Sequence, residues 1–267
     1  MGSGLLTIIL LGIIEGVTEF LPVSSTGHLI LAGELLGFTG EGSVAFKIAI
    51  QFGAILAVLT AYWRRFWDVF VGLLRRDAQA VAFTRNILIG FLPAMAIGVV
   101  AYEVIRAAIQ KPMIVAVMLV LGGIVILVLE RRMRTARFES VEAIPFPTAI
   151  AIGFVQCLAM VPGVSRSGAT IMGALLMGVE RKTAAEFSFF LAVPTMLAAT
   201  VYSLYKDRAL LSGDDLSAIL IGLVVAFLVA LAVVKAFVAI VSRHGFAPFA
   251  WYRIVIGSVA IVWLLLR

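Results

Sequence analysis

Apolar residues in this chain run in long, nearly unbroken stretches instead of alternating with polar ones. Six stretches are long enough to cross a hydrocarbon core, for which about 20 helical residues suffice. They are Val44–Trp63, Asn86–Ile105, Met113–Leu129, Phe187–Tyr205, Leu216–Ile240 and Phe249–Leu266. Two further apolar runs, Leu5–Ile14 and Ala149–Val161, are too short. Each leads into a cluster of Pro, Gly and Ser and then into a second short helical stretch, Ser25–Gly37 and Arg166–Gly178. A short helix, a break and another short helix read as a re-entrant hairpin, which enters the bilayer without crossing it. The pattern predicts an all-α polytopic membrane protein with six full spans and two re-entrant helix hairpins, forming a single integral membrane domain over residues 1–267.

Composition excludes the soluble alternatives. Hydrophobic residues make up 63% of the 267 and charged residues 13%, against about a quarter charged in soluble proteins. A soluble domain of this size has too much surface to hide that many apolar side chains. The net charge of +6 does not indicate nucleic acid, because the cations gather in short loops between apolar runs, as the positive-inside rule expects. Placing Arg64–Arg85, Arg131–Arg137, Arg181–Lys182 and the Arg243 turn on one side puts 12 cations there: Arg64, Arg65, Arg75, Arg76, Arg85, Arg131, Arg132, Arg134, Arg137, Arg181, Lys182 and Arg243. The other side holds five, Arg106, Lys111, Lys206, Arg208 and Arg267. The first side is therefore expected to be cytoplasmic, with both termini outside. Leu5–Ile14 lacks the basic leader of a cleavable signal peptide, and the single Cys157 rules out an internal disulfide.

Displacing the chain on itself by 141 residues aligns Gly12 to about Ala57 with the second half without gaps. The matches include Gly12/Gly153, Val23/Val164, Ser24/Ser165, Gly27/Gly168, Gly37/Gly178 and Phe46/Phe187, and Glu15 falls on Gln156. Two internal repeats, approximately residues 1–138 and 139–267, follow. Each holds one hairpin and three spans, an odd number of crossings, so the expected arrangement is an inverted repeat. In such folds the ends of discontinuous helices meet near the midplane and their N-termini face anionic groups.

Two polar clusters fall at the breaks. In the first, Glu15 to His28, Glu15 and Glu19 are four apart and share a helix face. Paired carboxylates at low dielectric must share a proton, hold a cation or meet a base. Pro22 stops the helix, Ser24 or Ser25 can cap the next one, and His28 lies within a turn of Ser25. The second cluster, Pro162 to Thr170, places Arg166 at a helix start among Ser165, Ser167, Gly168 and Thr170. A guanidinium and helix N-terminal amides both supply directed donors and positive potential, which suits a phosphate. Singly, Ser24, Thr26 or Ser167 reads as a hydroxyl bonded one turn back. Charges such as Glu15, Glu19 and Arg166 are too costly in lipid to be idle. Lys47, Glu186, Lys235 and Arg253 read as packing partners or counter-charges, and His244 as solvated.

These clusters resemble the two signatures of the undecaprenyl-diphosphate phosphatase family of the BacA type. Its E-G-x-T-E leading into P-V-S-S-T-G-H corresponds to Glu15–His28, and its P-G-x-S-R-S-G-A-T corresponds to Pro162–Thr170. The likeness also covers Glu186–Phe189, Ala192–Pro194 and Pro248–Arg253. The resemblance implies hydrolysis of undecaprenyl diphosphate to the monophosphate carrier lipid, recycling it for cell-wall synthesis, with tolerance to bacitracin. It implies a multi-pass protein of the bacterial plasma (inner) membrane, with a site open to the outer side, a divalent cation (Mg²⁺ or Ca²⁺) and no nucleic acid, and it allows a homodimer. On that reading Arg166, Ser165, Ser167, Thr170, Ser24, Thr26 and Gly168 hold phosphate, and Glu15 and Glu19 hold the metal. Ser25 is the expected nucleophile with His28 or Glu19 as its base; His28 as nucleophile, or an activated water, are the rival schemes. The alternative function is a transporter or flippase of a phosphorylated polyprenyl lipid, since inverted repeats with broken helices are above all a transporter architecture.

Overall fold

The computed structural model describes residues 4–39, 41–109, 111–132, 135–206 and 215–267. Its helices are α1 (Leu5–Thr18), α2 (Ser25–Leu35), α3 (Glu41–Ala61), α4 (Trp63–Leu74), α5 (Ala78–Ile109), α6 (Pro112–Glu130), α7 (Phe146–Gln156), α8 (Arg166–Leu176), α9 (Arg181–Lys206), α10 (Asp215–His244) and α11 (Ala247–Leu266), with a 3₁₀ turn at Cys157–Met160 after α7. The chain is an all-α polytopic membrane protein. Among the described residues, five helices (α5, α6, α9, α10 and α11) are long and apolar enough to cross a bilayer, and the number is six if the bent pair of α3 and α4 is counted as one span. The runs expected to be too short are α1 and the stretch Phe146–Met160. Arg134 and Arg208, counted in the charge asymmetry, lie outside the described residues.

The segment following Trp63 is not the loop expected over Arg64–Arg85. It forms α4, bent by 71° from α3, and α5 begins at Ala78 instead of Asn86. Trp63, Phe66, Trp67, Phe70 and Leu74 recur at helical spacing with Arg64, Arg65 and Asp68 between them, which is the signature of an amphipathic helix. The arginines had masked that period.

The two hairpin helices begin and end alike. α2 starts at Ser25 and α8 at Arg166, each behind a serine cap, and both close 141 residues apart, at Leu35 and Leu176. Gly37 (φ +67°) and Gly178 (φ +87°) then turn the chain in the left-handed region. The Phe38 amide bonds the Gly33 carbonyl at 2.8 Å and the Val179 amide bonds the Ala174 carbonyl at 3.0 Å. This is the helix-ending bond from two residues past the cap back to the last turn, and glycine is the residue that permits it.

Packing exchanges partners between the halves. α1 lies on α10 and α7 lies on α5, while α6 packs against α11. A Cβ on Gly12 would meet the Gly222 carbonyl of α10 at 2.8 Å, and one on Gly153 would meet the Gly90 carbonyl of α5 at 2.4 Å. Small residues let backbones approach where lipid supplies no hydrophobic drive. Phe20, Phe187, Phe189 and Phe237 are fully buried at the centre, and the Phe20 and Phe189 rings meet edge to face at 5.2 Å.

Candidate functional site

Each break is built around one strained serine. Ser24 (φ +70°) caps α2 and its Oγ accepts from the Gly27 amide at 3.3 Å; Ser165 (φ +79°) caps α8 and accepts from the Gly168 amide at 3.0 Å. The left-handed region costs a residue with a Cβ about 1–2 kcal/mol, and here it is adopted twice at equivalent positions. The turn it makes lets both helices start abruptly, with the unbonded amides of their first turns facing the break.

Side chains then cross from one break to the other. Arg166 Nη2 donates to Glu19 Oε1 at 2.9 Å, and Nη1 donates to the Ser188 carbonyl at 2.8 Å. The guanidinium also lies 5.8 Å from the centre of the Phe20 ring. Glu19 Oε2 accepts a short hydrogen bond from the Ser25 hydroxyl. Ser167 Oγ donates to the Leu21 carbonyl at 2.7 Å. The Arg166–Glu19 pair is buried, with side chains 12% and 6% exposed. A buried ion pair persists only where further hydrogen bonds satisfy both ions, and here Ser188 and Ser25 supply them.

The remaining predicted residues divide by position. Ser24, Thr26 and Ser165 line the cavity together with Glu19, Ser25 and Arg166. Ser167 and Thr170 support it from behind, Thr170 Oγ1 lying 2.7 Å from Ser188 Oγ and 2.9 Å from the Arg166 carbonyl. Gly168 contributes its capped amide. His28 is held apart from Ser25. Its Nδ1 lies 2.8 Å from the Ser24 carbonyl, so that nitrogen donates, and its Nε2 accepts from Tyr252 at 2.9 Å while the two rings stack. Of the two bases left open for Ser25, Glu19 is the one in contact with it.

Glu15 sits behind Glu19, wholly buried and within electrostatic range of Glu19 and Arg166. Unpartnered atoms concentrate here: of five buried side-chain nitrogen and oxygen atoms without a hydrogen bond among the described residues, two are the carboxylate oxygens of Glu15, and two more are Gln156 Nε2 and Arg166 Nε. No cluster of three or more His, Cys, Asp or Glu exists among the described residues. Two carboxylates, one with both oxygens unused, suit a hard cation that takes its remaining ligands from phosphate and water.

The site opens into a cavity of about 740 Å³. One part is lined by the polar residues above, another by apolar residues of α5 and α9 such as Phe91, Met95, Val99 and Met196. Residues 8–259 match the family described as Bacitracin resistance protein BacA. The chain is 75% identical over 260 residues to an undecaprenyl-diphosphatase of Sphingopyxis alaskensis, covering 97% of this chain and 98% of the relative. It is 59% identical over the full length of both to an undecaprenyl-diphosphatase of Rhizorhabdus wittichii, and 51% identical to undecaprenyl-diphosphatase 2 of Paramagnetospirillum magneticum, covering 98% of this chain and all of the relative. The chain belongs to the BacA family.

One residue of this BacA chain does more than the packing or counter-charge role expected of it. Arg253 of α11 is completely buried and donates to five backbone carbonyls: Leu119 at 3.3 Å, Pro22 at 3.0 Å, Val164 at 3.0 Å, Met118 at 3.1 Å and Gly163 at 2.8 Å. Pro22 belongs to the first break, Gly163 and Val164 to the second, and Met118 and Leu119 to α6. Interrupted helices leave carbonyls without amide partners, a severe cost in lipid, and one planar guanidinium with five donors answers several at once. The sequence signal was an arginine inside an apolar helix. Ser188 and Tyr252, the partners of Arg166 and His28, fall inside the matching segments Glu186–Phe189 and Pro248–Arg253, but neither had a role assigned, because an isolated hydroxyl in a membrane helix is ordinarily unremarkable.

Proposed function

We propose that this protein hydrolyses undecaprenyl diphosphate to undecaprenyl phosphate and inorganic phosphate, returning the carrier lipid to cell-wall synthesis and thereby raising tolerance to bacitracin. The observation that carries the reading is the chain of hydrogen bonds Ser25–Glu19–Arg166 at the meeting point of two helix N-termini. A lipid carrier needs an anion cradle; it has no use for a hydroxyl hydrogen-bonded to an oriented carboxylate.

The prenyl tail lies along the apolar wall of the cavity and the diphosphate in its polar end. Ser25 Oγ attacks the terminal phosphorus as Glu19 takes its proton. The bond from phosphorus to the bridging oxygen breaks, and the monophosphate lipid leaves with that oxygen. Glu19 hands the proton it took to that departing oxygen, then removes one from the water that attacks the phosphoserine and returns it to Ser25 Oγ, releasing inorganic phosphate and restoring both residues. Arg166 and the first-turn amides of α2 and α8 balance charge on the equatorial oxygens during transfer. Glu15 and Glu19 would hold Mg²⁺ or Ca²⁺. Such an ion, when bound, neutralises diphosphate charge as a Lewis acid. The protein works in the bacterial plasma membrane with its cavity open to the outer side.

The test is phosphate release from a polyprenyl diphosphate by the detergent-solubilised protein. Stoichiometric monophosphate lipid and inorganic phosphate are expected. Binding without release would instead identify a carrier.

A further inference from the structure

The cavity has a second polar wall that the hydrolytic scheme does not use. On α3, Ser43, Lys47 and Gln51 stand four residues apart, a spacing that puts them on one helix face, and all three line the cavity that holds Glu19, Ser25 and Arg166. Gly33 of α2 makes room for the ammonium: a Cβ there would come within 2.8 Å of Lys47 Nζ. The carboxylate in electrostatic range, Glu34, is engaged by Arg267 at 2.9 Å nearer the surface. Among the described residues no side chain lies within ion-pair distance of the Lys47 ammonium. A cation kept inside a membrane protein without a fixed counter-charge, facing a cavity, marks a path for anions.

Distance separates this wall from the reacting groups. Gly33 is two helical turns beyond Ser25, which at 1.5 Å per residue is about 12 Å. A diphosphate held at Ser25 and Arg166 does not extend that far. We infer that Lys47, with Ser43 and Gln51 beside it, forms a second phosphate-binding subsite between the cavity mouth and the reaction centre. It engages phosphate in transit, as the headgroup of the arriving lipid or as the departing inorganic product. The naming of these two sources rests on the diphosphatase reading; the anion site itself rests on Lys47 and the cavity.

Two measurements test it on the full-length protein in detergent. In steady-state hydrolysis, Lys47→Gln is expected to raise both KM for the lipid and Ki for added inorganic phosphate about tenfold, equivalent to about 1.4 kcal/mol, with a much smaller change in kcat. A rise in KM alone would assign the subsite to the entering headgroup, and a rise in Ki alone to the leaving product. In thermal unfolding, inorganic pyrophosphate should raise the Tm of wild type and, less strongly, of Arg166→Ala. The double variant Arg166→Ala/Lys47→Gln should show no such rise. Unchanged KM and Ki in a folded Lys47→Gln protein, or an equal Tm rise with sodium chloride at matched ionic strength, would overturn the subsite. A wild type stabilised by pyrophosphate through Lys47 that released no phosphate from the lipid would overturn the diphosphatase reading and leave the subsite standing.

Discussion

The hydroxyl of Ser25 is hydrogen-bonded to one oxygen of Glu19 while Arg166, 147 residues away in sequence, holds the other at 2.9 Å. The carboxylate is thereby fixed in rotation and position, and its basic lone pair is aimed at a single hydroxyl. Arg166 can hold the carboxylate in this orientation only while the two breaks stay in register.

Removing either end of the Ser25–Glu19 contact should stop the reaction. Ser25→Ala and Glu19→Gln should each lower kcat by about 10³-fold or more, since a lost covalent nucleophile or its base costs several orders of magnitude. Single-turnover phosphate release would measure this. A Ser25→Ala enzyme working above about a hundredth of the wild-type rate would remove Ser25 as nucleophile.

Arg166 should tolerate no replacement, lysine included. It donates through two nitrogens to Glu19 and Ser188, and a lysine ammonium lacks the planar fork that reaches both. Arg166→Lys should therefore fall close to Arg166→Ala in kcat, both still inserting into membranes. Because Glu19 is left buried beside Glu15 without its cation, a loss of stability of about 3–5 kcal/mol should accompany Arg166→Ala. Lysine restoring more than a tenth of the wild-type rate would mean that only the charge matters.

His28 gives a prediction that separates support from chemistry. Its Nδ1–H bonds the Ser24 carbonyl inside the strained cap. An asparagine amide can reach the same carbonyl, whereas alanine cannot. His28→Asn should keep activity within about tenfold of wild type and His28→Ala should lose more, consistent with the ordinary worth of one buried hydrogen bond. If asparagine were as damaging as alanine, the imidazole itself would be taking part in proton transfer.

Which features the sequence disclosed follows from what each costs. Spans announce themselves by uninterrupted hydrophobicity, and the breaks by Pro22, Pro162 and their glycines, because nothing else explains such residues in lipid. Aligning the chain on itself at 141 residues brought Ser24 onto Ser165 and Gly37 onto Gly178, which turn out to be matched caps and matched turns, although the left-handed backbone of the serines had no signature of its own. The α4 helix was hidden because its arginines read as a loop. The identity of the base was also hidden, since spacing put His28 and Glu19 equally within reach of Ser25. Only rotamers and the pull of Tyr252 on the imidazole distinguish them.

Arg253 should behave as a pin for both breaks. Arg253→Met removes the donors to five carbonyls, and each buried acceptor left without a partner costs about 1–3 kcal/mol. Lower Tm and lost turnover should appear together. Gly122→Ala should reproduce both effects without touching a charge, because a Cβ there would fall 1.9 Å from Arg253 Nη2. A Gly122→Ala protein with wild-type Tm and kcat would show that the guanidinium can shift without disturbing the site.

Glu15 is where a cation requirement should be felt. Both its oxygens are buried without a donor from any other residue, its carboxyl lies in hydrogen-bonding range of the Glu19 carboxylate, and two carboxylates at low dielectric need a proton or a cation between them. A chelator should therefore abolish phosphate release, and added Mg²⁺ or Ca²⁺ should restore it. Glu15→Gln keeps the shape but removes one charge, so it should raise the cation concentration for half-maximal activity by about tenfold or more, as expected for the loss of an ionic ligand from a site with few protein donors. Glu19→Gln should not be rescued at any cation concentration, because it also removes the base at Ser25. If Glu15→Gln left the cation dependence unchanged and lowered only kcat, Glu15 would be acting on the proton held by Glu19, and the metal would be held by the substrate alone.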